Sequence, residues 1–197
     1  MTVGTRRDER GPATSVDWLP SKETVAIWNL ASAPMGLAAA AVFGLVACRG
    51  QLPAGFQIKW QEMLAIAVAT LLAFIGHELI HAWAMSRFGA RPRFGLADGG
   101  SSMMSSAFYA TAPGHLFTRG QYAAVTLAPA ALISGVGLLV CLTPLAVVVW
   151  LPLTFHFMSC VSDIAIAGRT LREPARTLCE DLPQGVRFVH VQEDLRP

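Results

Sequence analysis

One short segment of the chain combines residue types and a spacing that suit a metal ion and the activation of water. The segment is His77-Glu78-Leu79-Ile80-His81, an HExxH pattern. Residues four apart on a helix share a face, so the two imidazoles are placed to bind one Zn²⁺. Glu78 is then close enough to accept a proton from a water that the metal activates. The pattern predicts a catalytic zinc site, with His77 and His81 as ligands and Glu78 as general base.

The third ligand has to come from another part of the chain, because a tetrahedral catalytic zinc takes three protein ligands and leaves the fourth position to water. His81 and Asp163 both lie about 9 Å from the predicted cytoplasmic ends of their helices, whereas His156 lies about 20 Å from that end, at roughly 1.5 Å per residue. The matching depth predicts Asp163 as the third ligand. His156 is predicted to orient a ligand or to polarise the substrate. His156 and Cys160 stay open as alternative ligands.

The acidic residues support a functional site. Only two of the thirteen, Glu78 and Asp163, fall inside the predicted apolar spans. Because an ionisable group in a bilayer is costly, it marks a functional site or a buried pair by default. The competing interpretation is a His-Glu-His cluster that only links helices through hydrogen bonds. We favour the metal site, because a structural link seldom needs two histidines and a carboxylate so close together on one helix.

The composition indicates what kind of protein positions these residues. Of the 197 residues, 53% are hydrophobic and 14% are charged, and the mean hydropathy is +0.47. Soluble domains usually carry about 25% charged residues. The deficit argues against a disordered chain, a nucleic-acid-binding module and an ordinary soluble enzyme. We therefore predict an all-α polytopic membrane protein that has the lipid bilayer as a partner and binds no nucleic acid.

Four apolar stretches are long enough to cross a bilayer, which takes roughly 20 helical residues. They are residues 25–48, 63–86, 122–142 and 144–168. The last two follow each other directly, and residues 120–162, a run of 43, contain no Asp, Glu, Lys or Arg. Leu142-Thr143-Pro144 is predicted to turn the chain within this run, because proline does not continue a helix. Pro129 and Pro152 then lie inside helices.

The basic residues predict the orientation of these spans. With four spans, thirteen of the fifteen Lys and Arg residues fall on one side of the membrane and two on the other. Both termini are therefore predicted to be cytoplasmic. The predicted organisation is an N-terminal tail (1–24), a membrane-embedded four-helix core (25–170) and a C-terminal tail (171–197).

The cytoplasmic connection between the second and third spans is long, as functional segments often are. Asp98-Gly99-Gly100 is a turn signal between residues 93–96 and 103–111. We predict a short β-hairpin here, with an open edge suited to hold an unwound substrate segment by strand addition. A solvated or interfacial loop is the alternative interpretation.

Several of these segments together resemble a known family. The segment 77–95, which begins with the HExxH pattern and ends at Gly95, resembles bacterial membrane proteins described as putative zincin peptidases. These proteins are distant relatives of the site-2 proteases. Residues 116–122, Leu127-Ala128-Pro129 and Ser162-Asp163-Ile164 are similar to the same family. The resemblance covers about residues 60–190 of the chain.

The resemblance implies an intramembrane zinc metalloprotease of a bacterial inner membrane, whose substrate is a membrane protein or peptide. Its zinc ligands would be His77, His81 and Asp163, and Glu78 would be its base. The alternative function is a non-catalytic metal-binding membrane protein, which would serve as a sensor, a scaffold or a degenerate protease.

Overall fold

The computed structural model describes residues 4–7, 13–51, 58–96 and 108–191. This part of the chain is mostly helical and also contains short strands. The helices are α1 (Lys22–Ala47), α2 (Trp60–Arg87), α3 (Arg119–Val140), α4 (Ala146–Ser159) and α5 (Val161–Leu171). The strands are β1 (Gly4–Arg7), β2 (Ala13–Trp18), β3 (Arg93–Leu96), β4 (Phe108–Thr111), β5 (Leu116–Thr118), β6 (Leu178–Leu182) and β7 (Gly185–Val191).

The helices correspond closely to the predicted spans. Helices α1, α2 and α3 are each long and apolar enough to cross a membrane, and the bent pair α4–α5 is a fourth candidate. Large apolar side chains on them stay uncovered: Leu30, Leu37 and Leu139 are 76%, 73% and 67% exposed. Exposed apolar surface of this kind suits contact with lipid tails. The described helices are thus consistent with an integral membrane protein.

The chain divides into two compact units. The first, here called the sheet unit, comprises Met1–Ile27, His81–Leu127 and Asp163–Pro197. The second, here called the helix unit, comprises Trp28–Ile80 and Ala128–Ser162. The HExxH pattern is divided between them, because the boundary in α2 falls between Ile80 and His81.

The helix unit is held together by close apolar packing. Ala39 and Phe43 of α1 form a buried cluster with Cys141 and with Leu153 of α4. Phe43 also meets Phe157 edge to face, with ring centroids 6.3 Å apart. At another point of contact, a β-carbon on Gly36 would lie 2.8 Å from the sulfur of Met158 on α4. A glycine at this position lets the two helix backbones approach closely, as in other membrane helix pairs.

The sheet unit contains an antiparallel sheet with the strand order β1-β2-β7-β6-β5. Arg187 on β7 donates to Asp17 on β2 at 2.6 Å and to Glu180 on β6 at 2.9 Å, so one guanidinium joins three adjacent strands. Val186 and Phe188, on either side of Arg187, are buried. The helical prediction is confirmed for most of the described chain, but this sheet, to which both terminal segments contribute strands, was not predicted.

A separate two-stranded hairpin confirms the prediction for the loop after α2. Strand β3 pairs antiparallel with β4, and Arg93 lies opposite Thr111. The predicted turn at residues 98–100 lies outside the described residues. Gly95 is covered by the ring of Tyr109, and a β-carbon there would lie 2.6 Å from the Tyr109 oxygen. A larger residue at Gly95 would therefore displace this ring.

The predicted turn between the third and fourth spans is also present. Helix α3 ends at Val140 and α4 begins at Ala146, so the intervening turn contains Leu142-Thr143-Pro144. The predicted fourth span is not a straight helix, however. It is broken between Ser159 and Val161, and α4 and α5 are bent by 42° relative to each other.

Candidate metal centre

The HExxH residues lie on the buried side of α2. His77, Glu78 and His81 are only 9%, 8% and 9% exposed, whereas Leu79 and Trp83 of the same helix are more than half exposed. The helix is uninterrupted from Trp60 to Arg87, so the two histidines are separated by about one turn. The local geometry required for a shared metal ion is therefore present in α2.

His81, in the sheet unit, is held by a hydrogen bond to the backbone of α3. Its Nδ1 lies 3.0 Å from the carbonyl oxygen of Val125. A carbonyl only accepts hydrogen bonds, so Nδ1 carries the proton and the lone pair of the neutral ring lies on Nε2. A backbone carbonyl that fixes a histidine in this way is typical of the groups that orient metal ligands.

Pro129 explains why this carbonyl is available. In a regular helix the carbonyl of residue 125 would accept the N–H of residue 129. Residue 129 is proline, which has no N–H, and it lies inside α3. The carbonyl of Val125 is thereby released to accept the proton of His81. The sequence pattern predicts only that Pro129 lies inside a helix, but a proline four residues after Val125 is also a signal for a carbonyl without a helical partner.

Replacing Pro129 with Ala is expected to weaken zinc binding by about tenfold, because the new N–H competes for the Val125 carbonyl that orients His81. Zinc affinity is measured by competition with a chromophoric chelator. Pro34→Ala is the matched control, since Pro34 lies inside α1 and is exposed. Equal affinities of wild type and Pro129→Ala would contradict the role assigned to the proline.

Asp163 is the carboxylate next to His81 within the sheet unit. Its Oδ2 lies 3.9 Å from Nε2 of His81, the nitrogen that carries the lone pair. The separation is too long for a hydrogen bond. It suits two ligand atoms that each lie about 2.0–2.2 Å from a shared ion. Asp163 and His81, which are predicted to lie at the same depth, are thus neighbours in the structure.

His77, in the helix unit, has a different neighbour. Its Nδ1 lies 3.1 Å from Nε2 of His156, and the two rings meet edge to face. His156 and Cys160 are both fully buried. The Cys160 sulfur lies 3.8 Å from the same His156 nitrogen. His156 is therefore in contact with His77, and its role in orienting a ligand stays a prediction.

The break in the fourth span separates His156 from Asp163. Sequence reasoning placed both on one face of one helix, but His156 lies on α4 and Asp163 on α5. The side chains of Ser159 and Cys160 donate to the His156 carbonyl at 2.6 and 3.2 Å. Local bonds of this kind compete with the regular helical pattern and bend helices.

A buried polar pair connects the sheet to the beginning of α3. Tyr122 donates a hydrogen bond from its hydroxyl to Asp181 on β6 at 2.7 Å. Burial raises the pKa of the Asp181 carboxyl above its ordinary value, while hydrogen bonds from Thr111 and Tyr122 act in the opposite direction. Tyr122 lies about one turn before Val125, so the pair fixes the part of α3 that holds His81.

The donor types present are suited to zinc. Imidazole nitrogen, carboxylate oxygen and thiolate sulfur are the ligands that zinc takes in proteins. In the sheet unit His81 is paired with Asp163, and in the helix unit His77 lies with His156 and Cys160. Glu78, which lies between the two histidines in the sequence of α2, is also buried. The predicted roles of these residues remain predictions.

Comparison with known proteins identifies one family. A family model described as putative zincin peptidase matches residues 70–178. The matched range contains His77, Glu78, His81, His156 and Asp163. No curated protein and no solved structure shows a match to the chain.

Proposed function

The chain belongs to the putative zincin peptidase family, and from this we propose that it is a zinc metallopeptidase that cleaves membrane-embedded substrates. Zinc is the cofactor that this family implies. The finer proposal, an intramembrane enzyme of the site-2 protease type, is supported by the position of the motif in α2. That helix is apolar enough to span a bilayer, and its buried side carries the HExxH residues.

The observation that carries the proposal is the arrangement of His81. Its Nδ1 is engaged by the Val125 carbonyl and its Nε2 lies 3.9 Å from Asp163. His77 precedes it by about one helical turn. We therefore assign His77, His81 and Asp163 as the zinc ligands.

Zinc at such a site supplies an activated water and polarises a peptide carbonyl. Glu78 takes the proton of the attacking water and then delivers it to the leaving amine. The proton transfer takes place at the carboxylate oxygens of Glu78, which is shielded from bulk solvent. With zinc bound, this arrangement would also explain how ionisable side chains are tolerated in apolar helices, because they would face a cation and a reacting water.

The hairpin of β3 and β4 is a candidate for holding the substrate. The two strands form a sheet of their own within the described residues, so each has an edge without a partner strand there. A substrate helix must unwind before its peptide bond can be attacked, and an extended segment can pair with such an edge. The residues that join the two strands lie outside the described part of the chain.

Removal of the metal is the direct test of this function. Purified protein in liposomes is expected to cleave a membrane-embedded peptide, to lose this activity after treatment with a zinc chelator and to regain it when Zn²⁺ is returned. Magnesium is the control, because it prefers oxygen ligands and does not suit two imidazoles. Cleavage is followed by mass spectrometry of the products. Undiminished cleavage by protein shown to be free of zinc would overturn the proposal.

A further inference from the structure

The helix unit contains a second group of metal-binding side chains. His77, His156 and Cys160 are all buried, and their ligand atoms lie within 4.8 Å of one another. His77 and His156 approach to 3.1 Å through Nδ1 and Nε2. The Cys160 sulfur lies 3.8 Å from the same His156 nitrogen. The three donors therefore converge on one small volume inside a single compact unit.

These separations suit a tetrahedral ion. Zn–N bonds of about 2.0–2.1 Å and Zn–S bonds of about 2.3 Å place the ligand atoms roughly 3.3–3.6 Å apart. The observed distances of 3.1 and 3.8 Å differ from this range by a few tenths of an ångström. Two nitrogens and one sulfur form a donor set that favours thiophilic cations such as Zn²⁺, Co²⁺ and Cd²⁺ over Mg²⁺ or Ca²⁺.

We propose that His77, His156 and Cys160 form a second position for a thiophilic divalent cation, distinct from the HExxH position. The ligand atoms are Nδ1 of His77, Nε2 of His156 and the sulfur of Cys160. When the cation binds, the Cys160 thiol releases its proton to solvent. The proton on Nδ1 of His77 is replaced by one on Nε2, and His156 keeps its proton on Nδ1.

The two positions are mutually exclusive because they share His77. A neutral imidazole has one lone pair, which lies on Nε2 or on Nδ1 according to its tautomer. In the Nδ1–H tautomer, His77 donates to His156 and directs its lone pair at the HExxH position. In the Nε2–H tautomer, it directs the lone pair at His156 and Cys160. An ion in the second position no longer contacts His81 and Asp163. The second position would therefore hold the ion in a state in which the peptidase is inactive. That last consequence alone rests on the proposed function.

The test uses cobalt in the full-length protein, because a thiolate bound to Co²⁺ gives a charge-transfer absorption in the near ultraviolet. His81→Ala removes a ligand of the HExxH position and leaves the second position intact. This variant is expected to retain about one Co²⁺ per chain, with the full absorption of one thiolate. Asp163→Asn repeats the test with every histidine present and is expected to show the same absorption.

The controls compare two buried cysteines of the helix unit. Adding Cys160→Ser to either variant is expected to abolish the charge-transfer band, whereas adding Cys141→Ser is expected to leave it unchanged, since Cys141 belongs to the apolar cluster with Phe43. Three results would overturn the proposal of a second position. These are cobalt bound without the charge-transfer band, no cobalt bound in either variant, and a band that survives Cys160→Ser. The absorption is read without substrate, so failure of the peptidase assay would leave this result standing.

Discussion

Replacing Glu78 with Gln is expected to abolish peptide hydrolysis while zinc remains bound. The amide has nearly the same shape as the carboxylate but does not accept a proton, and general bases contribute about 10²–10⁴-fold to a rate. Glu78 is buried next to the motif histidines and is not among the proposed ligands, so the substitution is expected to leave the metal in place. Cleavage of a membrane-embedded peptide and zinc per chain, by elemental analysis, are measured on the same preparation.

Glu62→Gln is the matched control for this substitution. Glu62 lies in the first turn of the same helix, where its carboxylate accepts a hydrogen bond from the Lys59 N–H at 2.8 Å. Glutamine can preserve that cap, so activity and metal content are expected to match those of the wild type. Full cleavage by Glu78→Gln would show that Glu78 is not the base. Zinc-loaded wild type that cleaves no peptide would favour the non-catalytic alternative, a sensor or scaffold that binds metal.

Replacing His77 with Ala is expected to remove the metal altogether. His77 is the residue common to the proposed zinc ligands and to the second group with His156 and Cys160. Its loss leaves each position with two protein ligands, fewer than the three that catalytic zinc sites use. Zinc is therefore expected to fall from about one ion per chain to near none after purification at low free zinc. His81→Ala, in contrast, is expected to retain an ion at the second position.

His190→Ala is the control for a general effect of losing a histidine. His190 lies on β7, where its Nδ1 is 3.2 Å from the Thr177 hydroxyl and its Nε2 is 3.7 Å from Glu173. Its replacement is expected to leave the zinc content unchanged. Stoichiometric zinc in His77→Ala would mean that the ion is held elsewhere in the chain and would remove both proposed positions.

The helices could be predicted from the sequence because a long apolar run is a local property. The boundaries of α1, α2 and α3 lie within three residues of the predicted spans. The sheet could not be predicted in the same way, because Val16 on β2 pairs with Phe188 on β7, far along the chain. The alternation of apolar Val186 and Phe188 with charged Arg187 is a local strand signal, and in the structure the two apolar residues are the buried ones. A single short strand pattern in a polar segment does not, however, distinguish a strand from a tail, because its pairing partner lies far along the chain.

The sequence by itself determined the spacing of His77, Glu78 and His81, because the period of an α-helix places residues four apart on one face. It also determined that the Val125 carbonyl has no helical partner at residue 129, because proline has no N–H. The tertiary structure decided which groups meet these atoms. His81 donates a hydrogen bond to the Val125 carbonyl and lies next to Asp163, while His77 contacts His156. The helix break at Cys160, which separates His156 from Asp163, does not follow from residue spacing. Contacts between helices depend on how each helix is rotated and bent against its neighbours, and neither quantity is encoded in the spacing along one helix.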